Sequence, residues 1–313
     1  MMTASYLEAM QTGLLARSLA DSQRLLGACS LCPRQCGVNR LAGERGYCRS
    51  GALAEVASYG PHFGEESVLV GSGGSGTIFF CGCNLLCSFC QNYAISHGED
   101  QDCRAVSDRE LAAIMVELQA MGCHNINLVT PTHVVPQILA ALPLALAAGL
   151  HVPLVYNCGG YERVETLRLL DGIIDIYMPD AKFSDPQSGL RYAAAGDYPQ
   201  KMRAALREMQ RQEGDLHLGQ GGLADRGLLV RHLLMPEGFP EAQAIFQFLA
   251  EEISPNCYLN VMDQYRPCGE LTGRADTITP AMHAKALQAA ESVGLSRLER
   301  RDTAALIRRL LSH

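Results

Sequence analysis

The chain lacks an excess of positive charge, lacks an apolar run long enough to cross a bilayer, and lacks internal repeats or low-complexity tracts. Its 26 Lys and Arg stand against 33 Asp and Glu, a net charge of −7. That excludes a strong electrostatic grip on a nucleic-acid backbone. The most apolar stretch, residues 134–150, is interrupted by Pro136, Gln137 and Pro143. It falls short of the ~20 residues a membrane span requires and reads as a buried, Pro-kinked helix. The first residues carry Glu8 and Asp21 and no basic stretch ahead of an apolar core, so they do not read as a signal peptide. The expectation is a soluble, cytoplasmic protein with no nucleic-acid or membrane partner. Charged residues are only 19% of the chain and hydrophobic ones 48%, which excludes intrinsic disorder.

What the chain has instead is cysteine: thirteen among 313 residues, with no tryptophan at all. The odd, uneven set does not read as a disulfide framework but as thiolates for metal or redox chemistry. At ~150 residues per domain the length suggests one or two domains, and a single α/β barrel can also occupy it.

Residues 1–28 read as one or two amphipathic helices with Leu14, Leu15, Leu19, Leu25 and Leu26 on one stripe. Residues 49–75 read as irregular or β. They end in a glycine-rich run, Gly71 to Gly76, which lacks the Lys-Ser/Thr of a phosphate-binding loop and so reads as a hairpin turn. Beyond it, apolar runs of strand length lie at 77–82, 125–130, 152–157, 173–179, 228–235 and 258–262. Helical segments alternate with them at 108–121, 162–170, 199–212, 241–252 and 280–293, and Ser107 with Glu110 has the spacing of a capping box. Strands apolar on both faces call for parallel pairing beneath helices. Six such units predict a partial (β/α)6 barrel at 76–270. An N-terminal helical and cysteine-rich extension (1–75) precedes it and a C-terminal helical segment (271–313) packs on it. Residues 214–227 read as a mobile loop.

Directly after the first of these strands comes Cys83-x3-Cys87-x2-Cys90, with Phe89 before the last cysteine and Gln91-Asn92 after it. Three thiolates on one short loop suit three corners of a [4Fe–4S] cube. A closed zinc site would normally take four ligands. The placement agrees with barrel chemistry, which gathers at the C-terminal ends of strands.

This loop resembles the radical S-adenosylmethionine (SAM) superfamily, most of all the branch related to pyruvate formate-lyase activating enzyme. The resemblance runs from about residue 76 to residue 270. It implies a [4Fe–4S] cluster on Cys83, Cys87 and Cys90 whose open iron takes SAM. Reductive cleavage of SAM would then give a 5′-deoxyadenosyl radical that abstracts hydrogen from a substrate. It also implies SAM contacts near Phe89 and on later strand ends. Thr130 stands where the family carries a Gly-Gly-Glu-Pro element, here Thr130-Pro131-Thr132-His133, so only its backbone is carried over. Asn157 replaces an aspartate, Asp180-x-Lys182 matches the family's pair, and Arg231 fits its arginine. His133 reads as a helix cap or a catalytic group, and His232, on the opposite strand face from Arg231, as a packed residue. No catalytic residue is assigned, and Tyr265 receives no role.

A second group, Cys29-x2-Cys32-x3-Cys36 and Cys48, suits a second iron–sulfur cluster, a zinc site, or four unmetallated thiols. A set of this kind recurs in some uncharacterised relatives of the activating enzyme. Cys81, Cys103, Cys123, Cys158, Cys257 and Cys268 read as small buried residues, with Cys158 and Cys268 following strand ends that face the site. Two substrate classes stay open: a glycine backbone in a partner protein (a glycyl radical enzyme), or a small molecule or other side chain. The resemblance implies a flavodoxin or ferredoxin as low-potential electron donor. A reading from another class is a non-catalytic iron–sulfur electron carrier or a zinc-binding protein.

Overall fold

The computed structural model describes residues 3–98, 102–219, 221–273 and 275–300. Its strands are β1 (Ala54–His62), β2 (Ser75–Phe80), β3 (Arg104–Val106), β4 (Ile126–Val129), β5 (Leu154–Cys158), β6 (Ile176–Pro179), β7 (His217–Leu218), β8 (Ala224–Leu233) and β9 (Tyr258–Met262). The helices are α1 (Ser5–Gln11), α2 (Leu14–Arg24), α3 (Ser67–Val70), α4 (Tyr93–His97), α5 (Asp108–Ala120), α6 (Val135–Ala147), α7 (Val164–Arg168), α8 (Pro186–Ala193), α9 (Tyr198–Glu213), α10 (Phe239–Phe248) and α11 (Pro280–Ser292).

Six strands, β2-β4-β5-β6-β8-β9, pair parallel in that order. Helices carry every crossover between them, the arrangement of a partial (β/α)6 barrel. β1 adds antiparallel to the free side of β2 and β3 adds to β1, so part of the N-terminal extension belongs to the same sheet. α11 closes the other side through His283, whose Nε2 lies 2.9 Å from the Val261 carbonyl. Residues 301–313 of the expected C-terminal segment lie outside the described residues. So does Gln220, within the segment expected as a mobile loop. The described part of that segment includes β7 paired antiparallel to β8. Among the described residues no helix is long and apolar enough to cross a membrane.

Side-chain alternation divides the sheet into two faces. Ile78, Phe80, Ile126, Leu128, Leu154, Tyr156, Tyr177, Val230 and Leu259 join the large core under the helices. Val155, Ile176, Met178, Leu229 and Tyr258 form a separate inner cluster with Val68 and Leu69 of α3, which plugs the lumen. Full burial of each such side chain is worth about 1.5–3 kcal/mol, and this fixes strand register, because a one-residue slip would exchange the faces. Arg231, Asn157, Asn127 and Asn260 share the inner face by the same alternation. The lumen is therefore apolar around its plug and polar at several positions along its strands.

α5 begins on the expected capping box. The Glu110 amide donates to Ser107 Oγ (3.3 Å), and the Ser107 amide donates to Glu110 Oε2 (2.8 Å). α6 carries Pro143 inside it and buries most of its surface, as its uniform apolarity requires.

Candidate active site

β2 ends at Phe80 and the chain leaves it through Cys81, Gly82 and Cys83. Gly82 has φ +80°, and a Cβ there would stand 2.4 Å from the Cys48 carbonyl, so only glycine permits this approach. Cys83 and Cys90 are half-buried and Cys87 is buried, all with free thiols. The Leu85 amide donates to Cys83 Sγ (3.3 Å), and Ser96 Oγ stands 3.3 Å from Cys90 Sγ. Asn84 donates to the Tyr161 carbonyl (2.6 Å) and the Ser88 amide to the Tyr192 carbonyl (2.8 Å), so the loop is anchored at both ends. Cys268, beyond β9, lies over it with Sγ 3.1 Å from the Phe89 carbonyl.

Burial pushes the Cys83 thiol up to about 11 and raises Cys87 further, against the pull of Lys182. Cys83 and Cys87 are therefore neutral when unligated, and a metal that binds them must displace their protons. Among the described residues, no three His, Cys, Asp or Glu side chains converge as one metal ion needs. A cube makes no such demand, because each of its thiolates binds a separate iron.

The strand-end residues form one network around Asp180. Its carboxylate meets Lys182 Nζ at 2.6 Å and Arg231 Nε at 2.8 Å. Arg231 Nη2 donates to Asn157 Oδ1 (2.6 Å), and its Nη1 lies 3.7 Å from Glu65. Burial would raise the Asp180 carboxyl, but Arg231 and Lys182 outweigh it and hold Asp180 below the usual carboxylate range. The Tyr198 hydroxyl supports this corner, accepting from the Lys182 amide (2.9 Å) and lying 2.8 Å from the Asp180 carbonyl. Lys182 also lines an opening of about 210 Å³ that it shares with His232, Tyr192 and Tyr265.

Thr130 has φ +61°, a strained conformation for a β-branched residue, and its amide donates to the Asn157 carbonyl (2.8 Å). The other described non-glycine residues with positive φ are Gln35, Arg49, Leu86 and Ala194. Leu86 lies in the cysteine loop and Gln35 among the amino-terminal cysteines. Arg49 follows Cys48, and the Ala194 carbonyl accepts from Arg34 Nη1 (2.6 Å). Strain of about 1–3 kcal/mol per residue is thus concentrated on this end of the molecule, where functional sites store it.

Phe89 is packed edge-on against Phe183 and Tyr192, 6.0 and 5.8 Å between centroids, inside the core. His133 caps no helix. It is buried with Nε2 donating to the Cys81 carbonyl (2.8 Å) and Nδ1 without a partner. His232 is packed as expected, edge-on to Phe246, though its Nε2 is also unpartnered. The expectation that Cys81 and Cys103 are separate buried thiols is corrected. They form a disulfide, with Cα atoms 6.1 Å apart, that ties the start of the cysteine loop to the residue before β3.

Sequence reasoning missed Glu65, Glu66, Asn127, Asn260 and Glu162. Glu66 accepts from Asn260 (2.8 Å), while burial and Glu66 push the Glu65 carboxyl up to about 7. Asn127 is fully buried with neither amide atom partnered. Glu162 accepts from Thr132 (2.7 Å) and Tyr156 (3.0 Å), and burial raises it to about 7. The two asparagines did leave a signal: each is a lone polar residue in an apolar strand, as Arg231 is.

An α/β protein with a partial parallel barrel and a three-thiol loop on its first strand end is the class these features define. No family model matches the sequence. The chain is 32% identical over 269 residues to the uncharacterized protein MJ0674 of Methanocaldococcus jannaschii, covering 83% of this chain and 72% of that protein. It belongs to that protein's family. A solved structure titled native anSMEcpe with bound AdoMet matches with a TM-score of 0.45 and 11% identity over 67% of this chain. The match spans 57% of that structure's chain.

Proposed function

We propose that the protein is a radical SAM enzyme. The observation that carries this reading is the position of Cys83, Cys87 and Cys90. They are three free thiols on the loop leaving the first parallel strand, with Lys182 close enough to Cys87 to act on it electrostatically. When bound there, a [4Fe–4S] cluster with one open iron would supply the electron that splits SAM into methionine and a 5′-deoxyadenosyl radical. Three corners find ligands in this loop, and the fourth iron would be left to SAM. The sequence Cys87-Ser88-Phe89-Cys90-Gln91-Asn92 favours the activase-like branch, with a flavodoxin or ferredoxin as donor and, as substrate, either a glycine backbone in a partner protein or a small molecule or other side chain.

The chain's own residues would bind and orient. Arg231 and Lys182 offer cations for a carboxylate, whereas Asp180 and Asn157 offer acceptors for an ammonium group or ribose hydroxyls. Because Asp180 already pairs with both cations while balancing only one of their charges, a ligand carboxylate would share Arg231 or Lys182 with it. Burial of Cys87 and its neighbours keeps water from the reacting end.

Anaerobic reconstitution tests the proposal. SAM added to the reduced wild-type cluster should alter its EPR spectrum and yield 5′-deoxyadenosine, and Cys87→Ala should abolish both. A wild-type spectrum indifferent to SAM would leave the electron-carrier reading in its place.

A further inference from the structure

The amino-terminal cysteines take no part in that chemistry, yet they are built into the same end of the molecule. The Cys29 amide donates to the Val38 carbonyl (2.9 Å) and the Gly37 amide to the Cys29 carbonyl (2.9 Å), closing a tight knuckle that turns at Gln35. Cys29, Cys32 and Cys48 are buried, Cys36 is exposed, and none is in a disulfide. Their sulfurs act on one another in a chain, Cys36 on Cys29, and both Cys29 and Cys48 on Cys32.

Beside them lies a buried cation whose partners are carbonyls rather than a carboxylate. Arg40 is only 1% exposed. Its guanidinium donates to the Gly51 carbonyl (2.8 and 2.6 Å) and the His133 carbonyl (2.6 Å), and it reaches the Cys29 thiol. Among the described residues no carboxylate forms a salt bridge with it. Nearby Arg34 likewise meets only carbonyls and the faces of Tyr47 and Tyr161. A buried guanidinium without a counter-anion costs several kcal/mol. Thiolates held on a metal centre would supply the missing negative charge, and neutral thiols would not.

We propose that Cys29, Cys32, Cys36 and Cys48 hold a second [4Fe–4S] cluster, closed by four thiolates, with Arg40 as its buried counter-charge. A zinc ion would gather all four sulfurs within about 2.3 Å of one point. No three of the described ligating side chains converge in that way. The C-x2-C-x3-C spacing is the reverse of the C-x3-C-x2-C of the other loop. The two loops also touch: the Cys48 carbonyl lies against Gly82, and Arg40 reaches the carbonyl of His133, whose ring bonds the Cys81 carbonyl. This assignment does not depend on the radical reading.

The test uses the full chain, reconstituted anaerobically with iron and sulfide. A Cys83→Ala, Cys87→Ala, Cys90→Ala triple variant should retain about four iron and four sulfide. Its reduced EPR signal should ignore SAM, since every iron is occupied. Cys36→Ser, at an exposed position that folding tolerates, should lower the iron content of the wild type. A folded triple variant without iron, or with one zinc and no sulfide, overturns the proposal, as does a Cys36→Ser protein with undiminished iron. Failure of the radical reading would show separately, as wild-type protein that loads iron but never responds to SAM.

Discussion

His133 sets burial against charge. It is almost wholly enclosed, and burial together with the Arg40 guanidinium lowers its imidazole to about 4. In the unfolded chain the ring titrates near 6.5. Between these values the unfolded state binds a proton that the folded state refuses, so stability falls as pH drops from about 6.5 toward 4. From pH 7 to pH 5 this amounts to about 2 kcal/mol. Denaturant unfolding at both pH values should show that much less loss in His133→Gln than in the wild type. Glu162, raised to about 7, pulls in the opposite direction, but equally in both proteins. An equal pH response in the two would refute the account. Residues whose chemistry depends on spacing are legible in the sequence: Cys83, Cys87 and Cys90, and the Asp180-x-Lys182 pair. Residues that matter through what surrounds them are not. Nothing local marks Glu162 as buried or Arg40 as lacking a carboxylate, because Glu162 is held by Thr132 on another strand end and Arg40 by the distant His133 carbonyl.

Among the elements, α5 states its own beginning most plainly. Removing the Ser107 hydroxyl by Ser107→Ala leaves the Glu110 amide without its partner and should cost about 1 kcal/mol. Thermal unfolding measures this, and an unchanged midpoint would mean that tertiary contacts alone hold the helix start. The six parallel strands are readable because apolar runs bounded by turns have few alternatives, and β9 spans the same residues as its sequence signal. β1, β3 and β7 are harder to see. β3 and β7 are short edge strands, β1 lies between β3 and β2 with an exposed second half, and none carries a periodic signal. α3 is only four residues long, too short for any helical period, yet its Val68 and Leu69 fill the lumen.

For the whole molecule, the decisive contact is between the cysteine-rich extension and the barrel. Gly82→Ala would put a methyl group 2.4 Å from the Cys48 carbonyl and 3.0 Å from Ser50 Oγ, so one body must withdraw from the other. The variant should fold but lose much of its iron on reconstitution and become more open to protease around residues 45–50. Full iron loading would show that the contact is incidental. Composition announces an extension and a barrel, and periodicity marks where the barrel starts. Neither reveals that β1 crosses that boundary to pair with β2, since strand partners at an edge are chosen by geometry and not by local pattern.

The Cys81–Cys103 bridge has a practical consequence. Dithiothreitol, the thiol commonly present during cluster reconstitution, cleaves cystines by thiol–disulfide exchange, and strong reductants used to charge low-potential centres attack them too. Each assay under such conditions would therefore study a chain cut loose at residue 81, immediately ahead of the loop whose behaviour is being scored. Preparations that differ in how long they met the reductant would be mixtures of tethered and untethered molecules, and alkylation followed by mass measurement would count them.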